Sequence, residues 1–313
     1  MILTVTLNTA LDLTYHVPAL TPHAAHRVTE VRERPGGKGL NVARVLAALG
    51  RETVVTGFAG GPTGALVREL LASPAQQTPA PYDALLPIAG PSRRTIAVVD
   101  GTTGDTTQLN EPGPAVTPQE WTAFLDAYGA LLRDAEAVAL CGSLPPGIHV
   151  GAYAELVRRA RSADVPVLLD TSGEPLRRGI AARPDLIKPN AEELAQLTGA
   201  REPLRATRDA RRRGAHAVVT SLGPKGLLAL TSDGVWQAKP PAPVRGNPTG
   251  AGDSAVAGLL SGLVDGLDWP GRLVRAAALS AATVLTPTAG DFDREAYESL
   301  LSRITVTESP TPS

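Results

Sequence analysis

Residues 137–170 read AVALCGSLPPGIHVGAYAELVRRARSADVPVLLD, and this stretch decides the expected fold class. Two short apolar runs, at 137–140 and 165–170, have the length and composition of buried strands. Between them, residues 150–162 carry apolar side chains at helical spacing. A strand, a helix and a second strand in this order are typical of a βαβ unit, whose two strands run parallel.

The same alternation extends in both directions from this stretch. It predicts further strands at 2–8, 52–58, 185–187, 217–220, 227–230 and 235–238, and helices at 41–49, 64–71, 118–132, 204–213, 251–263, 269–285 and after residue 190. Repeated βα units predict an α/β fold with a mostly parallel central sheet flanked by helices. A proline-rich loop is expected at 73–82 and a frayed tail at 308–313.

Two groups of short strands do not fit the βα alternation. The first lies between residues 13 and 33, and the second is a hairpin at 94–100 and 106–109. These groups predict a small β-sheet lid, formed by excursions at about 12–34 and 90–111, within one domain that spans residues 1–313. Motifs from both halves of the chain would then belong to one site.

Composition and charge exclude several classes of protein. The 313 residues are 43% hydrophobic and 19% charged, which is typical of a globular chain. The 30 Lys and Arg residues nearly balance 31 Asp and Glu residues, so no basic surface for nucleic acid is expected. Cys141 is the one cysteine and cannot form an intrachain disulfide. With no signal-like N-terminus and no apolar run long enough to span a membrane, we expect a cytoplasmic protein with no membrane partner.

A glycine-rich segment heads the helix predicted at 251–263. It reads NPTGAGDS over residues 247–254 and contains Asp253. Small residues before a helix let an anionic ligand approach the free N–H groups of the first turn. Asp253 would stand within one turn of a bound phosphate and could accept a proton there. The alternative is a glycine turn whose aspartate complements the helix dipole.

Three further loops carry residues suited to anion binding, each with a structural alternative. PGGKGLN at 35–41 heads the first long helix and supplies Lys38, but no Ser or Thr follows the lysine, so it is not a Walker A loop. KPNAEE at 188–193 has Asn190 and Glu193 at the spacing of a helix capping box. SLGPKG at 221–226 could contact a nucleotide or form a hairpin turn.

Other enzyme classes lack their motifs in this chain. Ser254 has no closing glycine for a serine-hydrolase elbow, and no Gly-x-Gly-x-x-Gly follows the first strand. The five histidines show no metal-ligand spacing. Several anion-binding loops, one acid at a helix start and no nucleophile suit phosphoryl transfer, in which positioning and electrostatics do most of the work.

Together these motifs resemble the ribokinase-like (PfkB) carbohydrate kinases, and most closely the branch of 1-phosphofructokinases and tagatose-6-phosphate kinases. The resemblance runs from Thr4 to about Ala289. It is carried, in family order, by TLNTALD at 6–12, GGKGLNVAR at 36–44, LNEPGP at 109–114, GSLPPG at 142–147, LDTSG at 169–173, KPN at 188–190, SLG at 221–223 and GAGD at 250–253. It implies the three-layer ribokinase-like fold with a β-sheet lid, and a homodimer through the lids in many members.

The resemblance also implies roles for individual residues. Asp253 would be the catalytic base, and Gly250, Ala251, Gly252 and Asp253 would form the anion hole with their backbone. The sugar phosphate would be bound by Asp12, Gly37, Lys38, Asn41, Arg93, Asn110 and Ser143, with Lys38 and Arg93 on its phosphate. ATP would be bound by Lys188, Asn190, Ser221, Gly223 and Gly226. Glu193 would organise Mg²⁺ through water, and a monovalent cation is a further cofactor that the family allows.

The implied reaction is ATP-dependent phosphorylation of fructose 1-phosphate to fructose 1,6-bisphosphate. Tagatose 6-phosphate and fructose 6-phosphate are alternative substrates, and a non-catalytic sugar-phosphate sensor with the same fold is the alternative outside enzymes. Three residues depart from the family pattern: Thr9 stands for proline, Thr95 for asparagine and Cys141 for a small or hydroxyl residue. Thr95 bears on how the sugar phosphate is recognised.

Overall fold

A large sheet forms the centre of the protein. The computed structural model describes residues 1–73 and 79–309, so part of the proline-rich loop expected at 73–82 and of the tail expected at 308–313 lies outside the described residues. In spatial order the ten strands of the sheet are β14 (Thr305–Ser309), β13 (Val235–Lys239), β12 (Leu227–Leu230), β11 (Ala217–Ser221), β10 (Leu186–Ile187), β9 (Val167–Asp170), β8 (Ala137–Cys141), β1 (Ile2–Thr6), β4 (Thr53–Gly60) and β5 (Tyr82–Ile88).

Most of this sheet is parallel. All neighbouring pairs from β5 to β11 are parallel, whereas β12, β13 and β14 are joined by antiparallel pairs. Strands β1, β4, β8 and β9 are buried along their whole length. Strands that are covered on both faces read as continuous apolar runs, which is why the sequence pattern identified them.

Helices cover both faces of the large sheet and complete three layers. On one face, Leu3 and Val5 of β1 pack with the helices α3 (Pro118–Leu132), α4 (Ala152–Ser162), α5 (Gly173–Ala181), α6 (Ala191–Thr198) and α7 (Pro203–Arg212). On the other face, Ile2 packs with α1 (Lys38–Ala48), α8 (Ala251–Val264), α9 (Trp269–Val284) and α10 (Arg294–Leu301). Alternate side chains of one strand thus supply two separate cores.

A second, smaller sheet has four strands. Its order is β3 (Glu30–Gly36), β2 (Ala10–Val17), β6 (Arg93–Asp100) and β7 (Thr106–Asn110). Strands β2 and β6 pair in parallel and the outer pairs are antiparallel. One face of this sheet, with Leu11 and Leu13, packs on α2 (Gly61–Ala72). The predicted α/β architecture with a small separate sheet is confirmed.

Four elements of the structure were not predicted: β5, α5, α10 and β14. Helix α1 also begins at Lys38, three residues earlier than expected, and α2 begins at Gly61 rather than residue 64. Glu308 and Ser309, expected in a frayed tail, belong to β14. No helix among the described residues is long and apolar enough to cross a bilayer.

Candidate active site

One cleft of about 1360 Å³ lies where the small sheet faces the carboxyl ends of the parallel strands. Ligands of open α/β sheets bind at this edge. The cleft is lined by every site residue predicted from the sequence: Asp12, Gly37, Lys38, Asn41, Arg93, Asn110, Ser143, Lys188, Asn190, Glu193, Ser221, Gly223, Gly226, Gly250, Ala251, Gly252 and Asp253. Residues from both halves of the chain therefore share one site.

Asp253 lies in the first turn of α8. The preceding Gly250 has φ of +83°, and a Cβ there would lie 2.7 Å from that of Ala289, so this turn requires glycine. Ala251 N–H already donates to the carbonyl of Pro248 at 3.2 Å. The first N–H groups of a helix have no intrahelical acceptor. The N–H groups of Gly252 and Asp253 are therefore the better placed donors for an anion.

The carboxyl group of Asp253 is buried and held by one neighbour from α1. Its exposed fraction is 7%, and the Asn41 side-chain amide donates to its Oδ2 at 2.8 Å. Burial raises the pKa of Asp253 from 3.8 to about 6, and the Asp170 charge adds to this, although Lys38, Asn41 and Lys188 oppose it. A carboxyl group with a pKa near neutrality is well suited to accept a proton from a substrate.

Asp170, at the end of β9, holds the two lysines of the cleft. Its Oδ1 lies 3.2 Å from Lys38 Nζ and 3.7 Å from Lys188 Nζ, and its side chain is only 1% exposed. The charge of Asp170 raises the pKa of Lys38 above its ordinary value despite burial. Asp170 Oδ2 is buried without a hydrogen-bond partner within the described residues. Asp170 was not among the predicted site residues.

Asn190 and Glu193 form a complete capping box at the start of α6. Asn190 N–H donates to Glu193 Oε2 at 2.8 Å, and Glu193 N–H donates to Asn190 Oδ1 at 2.8 Å. This is the structural alternative noted from the sequence. Both residues also line the cleft, and the Glu193 charge contributes to the raised pKa of Lys38. The capping role and a role toward ligands are therefore compatible.

The small sheet contributes Asp12 and Arg93. Thr95 donates a close hydrogen bond from its hydroxyl group to Asp12 Oδ1. The Arg93 guanidinium group donates to the carbonyls of Asn8 at 3.1 Å and Glu111 at 3.2 Å, and burial lowers its pKa. Arg93 is thus fixed by backbone acceptors in this part of the cleft. Lys38 is instead paired with Asp170, so the two cations assigned to one phosphate have different partners.

Asn8 joins three loops beside the cleft and was missed by the sequence reasoning. Its side-chain amide donates to the Pro112 carbonyl at 3.1 Å and to Ser143 Oγ at 3.0 Å. Its position within the motif TLNTALD was the available signal. Asn110, the last residue of β7, lines the same part of the cleft.

The segment 221–226 forms the turn between β11 and β12. Gly223 and Gly226 have φ of +58° and +88°, and a Cβ on Gly226 would overlap the carbonyl oxygen of Ala238. Ser221 N–H donates to the Pro189 carbonyl at 3.1 Å, which joins this turn to the start of α6. The segment is therefore a hairpin turn that also lines the cleft.

The described residues contain no group of three or more His, Cys, Asp or Glu side chains that could hold a metal ion. Mg²⁺ needs no such cage, because it usually keeps several waters and binds through one or two carboxylates and substrate phosphates. The Oδ2 of Asp170 and the carboxylate of Glu193, which line the same cleft, fit that requirement. The donor set thus suits a metal ion that enters with a phosphate ligand.

Comparisons with known proteins agree with this geometry. Residues 5–295 match the family model described as pfkB family carbohydrate kinase. A Thermotoga maritima structure described as a possible 1-phosphofructokinase is 27% identical, with a TM-score of 0.88 and 99% of each chain covered. Phosphofructokinase-2 from Escherichia coli in complex with potassium is 27% identical, with a TM-score of 0.87 and coverage of 96% of this chain and 98% of that one.

Other similar structures contain bound ligands or a larger assembly. Phosphofructokinase-2 from Escherichia coli is also known in complex with fructose-6-phosphate, at 28% identity and a TM-score of 0.86, and in a tetrameric inhibited form. An Arabidopsis thaliana ribokinase complexed with ribose and ATP is 22% identical with a TM-score of 0.72, and covers 96% of this chain and 98% of its own. The architecture is therefore the ribokinase-like fold.

Proposed function

Because this chain belongs to the pfkB family of carbohydrate kinases, we propose that it transfers the γ-phosphoryl group of ATP to fructose 1-phosphate, forming fructose 1,6-bisphosphate. The observation that carries the proposal is Asp253, a buried carboxyl group at the start of α8 that faces the cleft and has a pKa of about 6. A proton acceptor beside free helix N–H groups is what phosphoryl transfer to an alcohol requires.

In the proposed reaction, Asp253 acts on the acceptor hydroxyl group of the sugar. The hydroxyl oxygen forms a bond to the γ-phosphorus, and the bond from that phosphorus to the β–γ bridging oxygen breaks. The proton of the hydroxyl group passes to Asp253, and the bridging electron pair leaves with ADP. The transition state spreads charge over the γ-phosphoryl oxygens, where the N–H groups of Gly252 and Asp253 would donate.

Lys188 would act on the phosphates of the nucleotide, and Lys38 on the phosphate that the sugar already carries. Both are held by Asp170, and Lys188 is only 4% exposed, so their ammonium groups are positioned before any ligand binds. Mg²⁺, when bound with ATP, neutralises charge on the β- and γ-phosphates. Asp170 and Glu193 are the residues we assign to it, Glu193 through water. A monovalent cation remains a second proposed cofactor, which a potassium titration of the rate would test.

A sugar that already carries a phosphate is proposed because Arg93 is a half-buried cation in the sugar part of the cleft. The charges of Asp12 and Glu111 already act on Arg93, but its hydrogen bonds go to backbone carbonyls. An unphosphorylated sugar would add no anion to it. Fructose 6-phosphate is the second candidate, since a similar protein is known in complex with it. Tagatose 6-phosphate is a third. A sugar-phosphate sensor without catalysis is disfavoured by the buried, proton-accepting Asp253.

The deciding experiment measures ADP release with fructose 1-phosphate, fructose 6-phosphate, tagatose 6-phosphate, fructose and ribose in parallel. We expect the highest kcat/KM with fructose 1-phosphate and poor turnover of the unphosphorylated sugars. Equal efficiency on ribose would contradict the assigned role of Arg93. Sugar-phosphate binding without any ADP release would favour the sensor. Sedimentation velocity would test the proposed homodimer through the small sheet.

A further inference from the structure

A row of four polar side chains crosses the small sheet on the face that lines the cleft. Asp12 on β2 is in register with Arg34 on β3 and with Thr95 on β6, and Thr95 is in register with Asn110 on β7. All four line the cleft. Asp12 and Asn110 already have proposed roles toward the sugar, whereas Thr95 has so far been noted only as a departure from the family pattern at a position that bears on recognition of the sugar phosphate. Its place in the row puts it beside the carboxylate of Asp12.

We propose that Thr95 is a positioning residue for the sugar phosphate, whose hydroxyl group fixes the Asp12 carboxylate so that it can accept a hydrogen bond from a sugar hydroxyl group. This rests on the proposed function, in which Asp12 binds the sugar. Thr95 Oγ1 donates to Asp12 Oδ1. A carboxylate accepts up to about four hydrogen bonds, so Asp12 keeps capacity for a ligand.

The backbone of Gly36 restricts Asp12 from another side. A Cβ on Gly36 would overlap the carboxyl group of Asp12, which shows that this carboxyl group packs directly against the glycine. The Asp12 carboxylate therefore lies between a backbone surface and one hydroxyl donor. Without the hydroxyl group, the backbone still limits its space but no longer selects its orientation.

The charge state of Asp12 depends on the same contact. Burial raises the pKa of Asp12 above its ordinary value, and the Thr95 hydrogen bond is the largest of the effects that oppose burial. The charges of Arg93 and Arg44 oppose it as well. Arg34, the remaining charged neighbour in the row, is paired with Asp291. Loss of the Thr95 hydroxyl group would thus weaken both the orientation and the ionisation of the acceptor.

A simpler explanation for threonine here is its preference for β-strands. Valine has the same shape and at least the same strand preference, so it separates the two explanations. Thr95→Ser keeps the hydroxyl group and loses a methyl group. Thr107→Val is the matched control, because Thr107 is an exposed threonine in β7 of the same sheet.

The test is a comparison of KM and kcat for these variants with fructose 1-phosphate and ATP. For Thr95→Val we expect KM for the sugar phosphate to rise about tenfold, the effect of one hydrogen bond to a charged group. KM for ATP and the melting temperature should stay near those of the wild type. Thr95→Ser should restore most of the sugar-phosphate affinity, and Thr107→Val should change neither KM.

Three outcomes would overturn the proposal: an unchanged KM for the sugar phosphate in Thr95→Val, equal losses in Thr95→Val and Thr95→Ser, or equal rises of KM for ATP and for the sugar phosphate. If Thr95→Val does not fold, Thr95→Ala provides the same comparison with Thr95→Ser. Wild-type protein that turns over none of the sugar phosphates would instead refute the proposed function, and that measurement is made first.

Discussion

Replacing Asp253 with asparagine should stabilise the protein while removing most of its activity. Burial raises the pKa of Asp253 from 3.8 to about 6. The difference, 6 − 3.8, is about 2.2 units, which corresponds to ~3 kcal/mol at about 1.36 kcal/mol per unit. That free energy is the cost of keeping the carboxyl group ionised in the folded protein. Asparagine keeps the shape and carries no charge, so we expect a gain of ~1–3 kcal/mol.

The sign of this effect sets its pH dependence. The folded protein binds the Asp253 proton more tightly than the unfolded chain does, so ionisation of Asp253 opposes folding. The cost is fully present above the folded-state pKa of about 6. It declines as the pH falls from there toward the unfolded value of 3.8 and is absent below it. The stability difference between variant and wild type should therefore be large at pH 8 and vanish near pH 3.8.

Asp265, at the end of the same helix, provides the control. Burial opposes its ionisation, but the ion pairs with Arg275 and Arg51 prevail and lower its pKa. Ionised Asp265 stabilises the folded protein at pH values above the pKa that it has in the unfolded chain, which is the opposite of Asp253. This stabilisation is lost as the pH falls through the lowered pKa of Asp265 in the folded protein. Asp265→Asn should therefore destabilise the protein at pH 8.

Urea unfolding at pH 8 and pH 4 measures the free energy of unfolding of each variant. Steady-state kinetics gives kcat, and calorimetry gives the binding of ATP and of the sugar phosphate. For Asp253→Asn we expect kcat to fall by ~10²–10⁴, the usual contribution of a general base, with ATP and sugar-phosphate binding retained. A variant as stable as the wild type at pH 8, or a difference that persists at pH 4, would refute the burial argument. Near-normal turnover would assign the base to another residue.

Three further predictions concern the rest of the cleft. Glu193→Gln should keep the capping box and change stability by less than ~0.5 kcal/mol, while it weakens the dependence of the rate on Mg²⁺ and lowers kcat. An unchanged Mg²⁺ titration of the rate would leave helix capping as the role of Glu193. Lys38→Met should raise the sugar-phosphate KM and move the acidic limb of the kcat/KM profile above pH 6, because Lys38 lowers the pKa of the base; an unshifted limb would contradict this. Gly250→Ala should abolish turnover and destabilise the protein through its contact with Ala289, whereas Gly199→Ala, with φ of +77° and open space, should cost only ~1–2 kcal/mol; equal losses in urea unfolding would count against the contact.

The elements that could be predicted from sequence are those whose pattern reflects local burial. Strands β8 and β9 are covered on both faces, and their apolar runs mark them directly. Strand β5 was missed because it contains Asp83 and Pro87 and lies at the edge of the sheet. Strand β14 was missed because it is defined by long-range pairing with β13. Its own sequence, TVTES, carries too few apolar residues to indicate a strand.

Helix α5 shows the same limit in a helix. It begins at Gly173 and contains Pro175 and Gly179, so propensity argues against a long helix there. Its stability comes from Leu176 and Ile180, which pack into the core beside α4 and α6. Tertiary packing thus overrides a weak local signal, which a single sequence does not display.

The candidate site divides in a similar way. The glycine loops were recognisable because their conformations demand glycine, as the left-handed Gly250 does. The contacts between loops were not, because they join residues far apart in sequence. Asn41 and Asp253 are 212 positions apart, and Lys38 and Asp170 are 132 apart. Motifs could therefore indicate which residues face the cleft but not which of them pair.

The charges of the cleft explain why Asp170 belongs to the site. Lys38 and Lys188 face Asp170 and Asp253, so the four charges cancel in the absence of a nucleotide. Lys188 is buried and Lys38 is partly exposed, and two cations beside each other without a carboxylate would carry a desolvation and repulsion cost. In the proposed reaction a nucleotide would bring several negative charges, and Mg²⁺ bound with it would offset part of them. Asp170 would then serve both states of the proposed reaction. It balances the lysines before the nucleotide binds, and its Oδ2, which has no hydrogen-bond partner within the described part of the chain, would be available to the metal afterwards.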